Sequence, residues 1–108
     1  MNNEQMNNNK VYLRGEIVSS PVFSHEVFDE KFYEFNLKVA RLSESFDIIP
    51  VTISEKILNS KMIIGKTLTI AGQFRSYNKQ IEGHSKLVLT VFVRDILEND
   101  ENQNPNSI

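Results

Sequence analysis

The sequence predicts an all-β domain of five strands, with one short helix between the third and the fourth. Two observations carry this prediction. Apolar and polar residues alternate in five separate runs, and the one segment that breaks the alternation follows a good helix N-cap, Ser54. An alternation with period two is typical of strands that bury one face. The 108 residues suffice for one domain.

The predicted strands are separated by short polar segments. Strands are expected at residues 10–18, 31–39 and 48–53 and as two runs within 65–94; residues 23–30 should form a loop or hairpin arm, and 41–47 a polar turn. Gly15 predicts a bulge or bend in the first strand. Pro50 removes a backbone donor, so the third strand should be an edge, or irregular, at that point.

The helix is expected over residues 54–62, with Ile57, Leu58 and Met62 on its buried side and Gly65 near its end. The order is therefore three strands, one helix and two strands within about 90 residues. This order is the pattern of an OB-fold, a five-stranded Greek-key barrel. In that fold the face of strands two and three and the loops one–two and four–five bind oligonucleotides or oligosaccharides.

Charge is distributed unevenly along the chain. The formal net charge is −2, yet residues 10–97 contain all twelve Lys and Arg and ten Asp and Glu, a balance of +2. From Lys66 to Arg94, both included, the chain has five basic residues and one acidic residue, Glu82. The two strands there are expected to flank a polar, basic loop of about ten residues. A basic hairpin that also carries an aromatic residue is a candidate site for a polyanion with bases to stack.

The ends of the chain have little to bury. Residues 1–9 and 98–108 are rich in Asn, and the second segment is acidic, so we expect both to be disordered around a domain at 10–97. The chain has no cysteine, no apolar stretch of about 18 residues and no pattern of a signal peptide. We therefore expect a cytoplasmic protein with no membrane contact.

Four motifs carry a resemblance to a known family. The segments NKVYLRG at 9–15 and GKTLTIAGQFR at 65–75 resemble the first and fourth strands of bacterial single-stranded DNA-binding proteins. The segments IPVTIS at 49–54 and GHSKLVL at 83–89 resemble the primosomal replication protein B branch of the same superfamily. The likeness spans about residues 10–96. It implies an OB-fold that binds single strands by stacking and charge, and that assembles as a dimer or tetramer.

Nine side chains are candidates for contact with nucleic acid: Phe32, Lys38, Phe46, Arg75, Tyr77, Lys79, His84, Lys86 and Arg94. The basic residues could pair with phosphates or could be a solvated surface. Tyr77 could stack a base or could shield the end of the barrel. Phe32, on the outer face of strand two, and Phe46 could be stacking platforms or subunit contacts. For Phe92, also on an outer face, a subunit contact is favoured.

The residues exclude several other functions. His25 and His84 lack carboxylate partners for a metal site, and no catalytic constellation, metal or cofactor motif stands out, so we expect a protein that is not an enzyme. Two hypotheses remain. The first is a sequence-tolerant single-stranded DNA binder for replication, recombination, repair or primosome assembly, with RNA and replisome proteins as further possible partners. The second, favoured by the absence of Trp, is an OB-fold interaction or oligomerisation module.

Overall fold

The structure, a computed structural model, describes residues 8–100. These residues form six β-strands: β1 (Val11–Ile17), β2 (Val22–Val27), β3 (Glu30–Ala40), β4 (Phe46–Ser54), β5 (Thr67–Ile81) and β6 (His84–Asp100). The strand order is β1-β5-β6-β4-β3-β2, and β1 also pairs with β3. That last pairing closes five strands into a barrel and leaves β2 outside it, against β3. The predicted OB-fold is confirmed, with β4 and β6 as its one parallel pair among the described strands.

The alternation in the sequence corresponds to the core. Ten buried residues fill the barrel: Ile17, Phe35, Leu37, Val51, Ile53, Met62, Leu68, Ile70, Val91 and Val93. Val11, Leu13, Tyr33, Val39 and Ile49 pack against them. The prediction that the strands bury one face is therefore confirmed, and burial of this apolar surface is the main driving force for closing the barrel.

The barrel closes where β1 meets β3, and this junction needs a glycine. Glu16 pairs with Lys38 and Ile17 with Leu37. A Cβ on Gly15 would lie 2.7 Å from the Lys38 carbonyl oxygen. The pairings of β1 run without a register shift, so the bulge expected at Gly15 does not form. The glycine is required for close backbone approach instead.

The prediction of a helix over residues 54–62 is wrong. Leu58 N–H donates to the Ser54 carbonyl at 3.0 Å, which makes one turn, and the segment then continues as separate turns. The reason lies in Asn59, whose Oδ1 accepts from Lys61 N–H at 2.9 Å and so competes with helical bonding. The N-cap contact predicted for Ser54 does form, because its Oγ accepts from Lys56 N–H at 3.1 Å. Met62 is buried as expected.

Two hairpins project from the barrel. The segment expected as a loop or hairpin arm is an arm: β2 pairs with β3 through a turn at Phe28 and Asp29, with φ of 50° and 66°. The prediction of a ten-residue loop between the last two strands is wrong. β5 and β6 pair without interruption from Gly72 to the turn at Glu82 and Gly83, where φ is 48° and 83°. Positive φ at both central residues is what a tight type I′ turn requires.

Pro50 lies at the point where β4 becomes an edge, as predicted. The parallel ladder to β6 consists of Val51 with Val91 and Thr52 with Phe92, and it stops before Pro50. Side chains complete the connection: the Thr90 hydroxyl donates to the Pro50 carbonyl at 3.0 Å, and the Thr52 and Thr90 hydroxyls are 3.0 Å apart.

The expected tails stay a prediction. Residues 1–7 and 101–108 lie outside the described residues, and β6 continues to Asp100, past the expected domain end at 97. Asn8 and Asn9 are described; the Asn9 amide exchanges two hydrogen bonds with the backbone of Phe74, at 2.7 and 2.8 Å. Across residues 8–100 no helix is long and apolar enough to cross a membrane.

Candidate nucleic-acid interface

A groove lies between the β2–β3 hairpin and the β5–β6 hairpin. It encloses about 280 Å³ and is lined by Ser24, His25, Thr52, Arg75, Ser76, Tyr77 and Thr90. A second depression of about 410 Å³ shares Ser24 and Tyr77 with the first and reaches Lys79 and Gln80. The two depressions are therefore adjacent, with Ser24 and Tyr77 at the border between them.

Most of the candidate residues on the β5–β6 hairpin share one face. Residues that are directly opposite in an antiparallel pair project to the same side. Arg75 pairs with Thr90, Tyr77 with Val88, and Lys79 with Lys86. His84 is two residues before Lys86 on β6 and so lies on the same face. Arg75, Tyr77, Lys79, His84 and Lys86 therefore lie on the face that carries Thr90 and the groove. The structure brings these five candidates together.

Lys79 and Lys86 are directly opposite each other near the tip of this hairpin. Like charges in directly opposed positions destabilise a strand pair. Among the described residues neither lysine takes part in an ion pair. The arrangement concentrates positive charge at a point where only solvent or an anion can neutralise it.

Tyr77 is anchored across the groove. Its hydroxyl donates to the Glu34 carboxylate at 2.6 Å, and the Ser24 hydroxyl donates to the same carboxylate oxygen at 3.3 Å. Burial, followed by the hydrogen bond and the negative charge of Glu34, raises the pKa of Tyr77 to about 12. The tyrosine ring is thus held in one place, half-buried, between the two depressions.

A row of side chains in ring contact lies beside the groove. The His25 ring lies parallel to Phe32 with centroids 4.9 Å apart, Phe32 is 5.6 Å from Phe92, and the Arg75 guanidinium is 4.4 Å from the Phe92 centroid. Phe32 is only 8% exposed. The expectation of an exposed Phe32 is therefore wrong, because His25 and Phe92 cover the ring. Phe92, for which a subunit contact was favoured, contacts its own chain here.

Arg75 is fixed from two sides. Its guanidinium stacks on Phe92, and the Gln73 amide, oriented with its oxygen toward Arg75, accepts from Nε and Nη2 at 3.1 and 3.2 Å. A guanidinium presents five donors in a planar fork. The remaining donors are available at the wall of the groove.

Three candidates lie elsewhere. Lys38 is 4.3 Å from the Phe46 ring centroid, at the end of β3 far from Phe32, in a depression shared with Glu16 and Arg41. The neighbouring Asp47 forms a 2.7 Å ion pair with Arg41, and that guanidinium lowers the pKa of Asp47. Arg94 lines a separate pocket with Asn9, Lys10 and Gln73. The structure therefore does not place these three in the groove.

The opposite face of the β5–β6 hairpin carries exposed apolar side chains. Phe74, Leu87 and Leu89 lie there, exposed by 46%, 67% and 57%. They continue the inward face of the barrel strands beyond the end of the barrel, so nothing among the described residues covers them fully. The hairpin thus has a basic side toward the groove and an apolar patch, Phe74, Leu87 and Leu89, on the other side.

Sequence reasoning missed three residues near this site. Glu34 carries no sequence signal of its contact with Tyr77, which lies 43 positions away. Phe28, 99% exposed at the tip of the β2–β3 hairpin, lies in a segment expected to be a loop or hairpin arm, where it carries no signal of its own. His25 was considered only as a metal ligand. Among the described residues no group of three His, Cys, Asp or Glu could hold a metal ion.

Comparison with known proteins places the chain in a family. The chain is 44% identical to the dimeric N-terminal domain of the PriB protein from Thermoanaerobacter tencongensis, with a TM-score of 0.70, over 83% of this chain and 94% of that domain. The chain belongs to the PriB family. This confirms the resemblance to the primosomal replication protein B branch. No family model and no curated protein matches the sequence.

More distant structures share the fold alone. The mitochondrial single-stranded DNA-binding protein Rim1 from S. cerevisiae matches 87% of this chain and 99% of its own, with a TM-score of 0.64 and 13% identity. A Plasmodium falciparum SSB, solved in complex with ssDNA, matches 85% of this chain and 89% of its own, with a TM-score of 0.60 and 15% identity. Both support the OB-fold assignment.

Proposed function

We propose that this protein binds single-stranded DNA, with little dependence on sequence, in the groove between its two hairpins. One observation carries the proposal: Arg75, Tyr77 and Lys79 line that groove, and His84 and Lys86 lie on the same face of the β5–β6 hairpin. The family membership and the complex of the Plasmodium falciparum protein with ssDNA support it. The role would be in DNA replication, recombination or repair, or in primosome assembly.

Capture of the strand is electrostatic. The opposed Lys79 and Lys86 repel each other in the free protein. A phosphate between them replaces that repulsion with two attractions, and condensed counterions are released from the DNA. Arg75, held by Phe92 and Gln73, offers a further phosphate contact at the inner end of the hairpin. Lys38 and Arg94 would contribute only if the strand extends beyond the groove.

Stacking is the second contribution. The Tyr77 ring is fixed by its bond to Glu34, so a base that stacks on it does not have to order the side chain first. Base–aromatic stacking contributes about 1–3 kcal/mol per base. Phe46, half-exposed beside Lys38, offers a second platform at the far end of β3. Phe32 supports the groove from beneath rather than meeting a base directly.

The protein is proposed to act as a homo-oligomer, a dimer or a tetramer. The dimeric state of the Thermoanaerobacter tencongensis domain supports this. The apolar face at Phe74, Leu87 and Leu89 offers surface for subunit or replisome contacts. That same face is the observation that favours the second candidate function, an interaction module of a replication complex with weak affinity for nucleic acid. Light scattering with and without an oligonucleotide gives the oligomeric state and separates the two functions.

The decisive experiment is fluorescence anisotropy of a labelled oligo-dT of about thirty bases, several times the minimum span of an OB-fold. Binding should be tight at low salt and weaker near physiological salt, with little affinity for duplex. The double variant K79E/K86E should bind more weakly, and its salt slope should fall by roughly 0.7 for each lost phosphate contact.

The matched control is K61E/K66E, which makes the same change in net charge on the connection between β4 and β5, outside the groove. It should retain the salt slope of the wild type. Equal losses in both double variants would mean that net charge alone determines binding. No binding by the wild type at low salt would contradict the proposed function and favour the interaction module.

A further inference from the structure

Glu34 is an acid inside a groove that is otherwise suited to a polyanion. It lies on β3, half-buried, between Val22 of β2 and Thr52 of β4. It lines the same depression as Tyr77 and Lys79. Among the described residues it has no ion pair. Its charge is therefore not neutralised by a neighbouring cation, and a phosphate close to it would be repelled.

The two oxygens of this carboxylate are used differently. Oε2 accepts from both the Tyr77 hydroxyl and the Ser24 hydroxyl. Oε1 accepts no hydrogen bond from any residue between 8 and 97. An ionised carboxylate is an acceptor only. The groove therefore offers one fixed, charged acceptor beside the ring that is proposed to stack a base.

The bases differ in what they can present to such an acceptor. Cytosine carries an amino donor at N4 and adenine one at N6, and guanine has an amino group at N2; thymine has a carbonyl acceptor at O4. Glu and Asp accept from cytosine N4 where proteins read base edges. A carbonyl facing Oε1 would place two acceptors together, so thymine would have to turn away or remain unpaired.

We infer that Glu34, with Ser24 and Tyr77, forms a base-reading subsite that takes a nucleobase with an exocyclic amino group and disfavours thymine or uracil. The inference rests on the proposed function and adds a preference to it. Tyr77 supplies the face of the base site and fixes the carboxylate, and Glu34 reads the base edge. Because a hydrogen bond to a charged group is stronger than one between neutral groups, the subsite should change the relative affinities by about tenfold or more.

The test compares oligo-dC with oligo-dU of equal length, since these bases differ in the group at C4 while both are pyrimidines without a methyl group. Anisotropy titrations at one salt concentration and slightly alkaline pH give the ratio of the two dissociation constants. The ratio is measured for the wild type, E34Q and Y77F. Using a ratio removes the general gain in affinity that any loss of a negative charge produces.

In E34Q the preference for dC over dU should fall about tenfold relative to the wild type, because a neutral amide can accept from one base or donate to the other. Y77F should keep the preference, since the Ser24 hydroxyl still donates to Glu34 Oε2 and holds the carboxylate in the groove. An E34Q ratio equal to that of the wild type would overturn the inference. Loss of the preference in Y77F as well as in E34Q would also overturn it, because Glu34 would then act only by holding Tyr77.

The outcomes also separate the inference from the proposed function. If the wild type binds both oligonucleotides and the ratio does not respond to E34Q, the function stands and the subsite does not. If the wild type binds neither at low salt, both are wrong. Circular dichroism of each variant confirms that it is folded before its ratio is used.

Discussion

The Tyr77 hydroxyl and the Glu34 carboxylate are 2.6 Å apart, although β5 and β3 are not neighbours in the sheet. On one side of the barrel β6 and β4 separate these strands, and on the other side β1 does, so the bond joins two strands that do not pair with each other. It connects the basic hairpin to the barrel at the middle of the groove. The bond fixes at once the position of an aromatic ring and the direction of a carboxylate.

This bond should be visible in a pH titration. The pKa of Tyr77 is raised to about 12 by burial and by Glu34, above its ordinary value near 10. The native state therefore keeps a proton that the unfolded state loses, and stability should fall as pH rises from about 10 to about 12. Tyrosinate absorbance should show one of the three tyrosines titrating late. In Y77F this late step should disappear; a late step that persists would assign the shift to another tyrosine.

Because Lys79 and Lys86 are directly opposed, replacing one of them should raise the stability of the protein and lower its affinity for single strands. K86E replaces a like-charge pair with an opposite-charge pair across from Lys79, so the hairpin should gain up to about 1 kcal/mol. The affinity for single strands should fall in the same variant. Urea unfolding and anisotropy, measured together, should move in opposite directions. A loss of both stability and affinity would contradict the idea that the lysine pair is unfavourable in the free protein.

Phe28 predicts a gain in stability on substitution. It is 99% exposed and has φ of 50°, a left-handed conformation that is strained for a bulky side chain but tolerated by Asn. F28N should raise the free energy of unfolding by about 1 kcal/mol, since it relieves strain without removing a core contact. The control is L42N, an equally exposed apolar residue outside the left-handed region. Equal effects in both variants would attribute the gain to exposure alone.

Gly72 and Gly83 predict losses of different size. A Cβ on Gly72 would lie 2.3 Å from the Phe92 carbonyl oxygen, a backbone atom that cannot move alone, so G72A should cost about 3 kcal/mol or more. Gly83 has φ of 83° and open space around it, so G83A should cost about 1 kcal/mol, from backbone conformation only. Thermal and urea unfolding measure both. The reverse order would show that the β5–β6 bulge at Gly72 relaxes.

The barrel could be predicted from the sequence because its strands bury one face and leave the other in solvent. That contrast produces the alternation seen at Phe35 and Leu37 or at Val51 and Ile53. The outer half of the β5–β6 hairpin has no such contrast, since both of its faces are largely exposed. Residues 75–86 therefore looked like a loop, and the turn at Glu82 and Gly83 was not recognised. The helix failed for a local reason, the competing bond of Asn59.

The candidate site could be predicted only in its local part. Lys79 and Lys86 are close in sequence, and their hairpin was recognisable from charge. The burial of Phe32 depends on His25 and Phe92, which reach it only through non-local strand pairs. The contact between Tyr77 and Glu34 likewise requires the closed barrel. Alternation predicts on which face a side chain lies, but not which side chains from other strands meet it there.

The β5–β6 hairpin extends past the last residues that pair with β1 and β4, at Gly72 and Val91. Beyond these points the Asn9 side chain bonds the backbone of Phe74, and the ladder nearer the tip is internal to the hairpin, with few apolar contacts to hold it. Amide hydrogens there should exchange with solvent far faster than those of the barrel, through an opening that does not require global unfolding. Residues at the tip can therefore be substituted in evolution without destabilising the core. The part of the molecule that meets its ligand is thermodynamically separable from the part that keeps it folded.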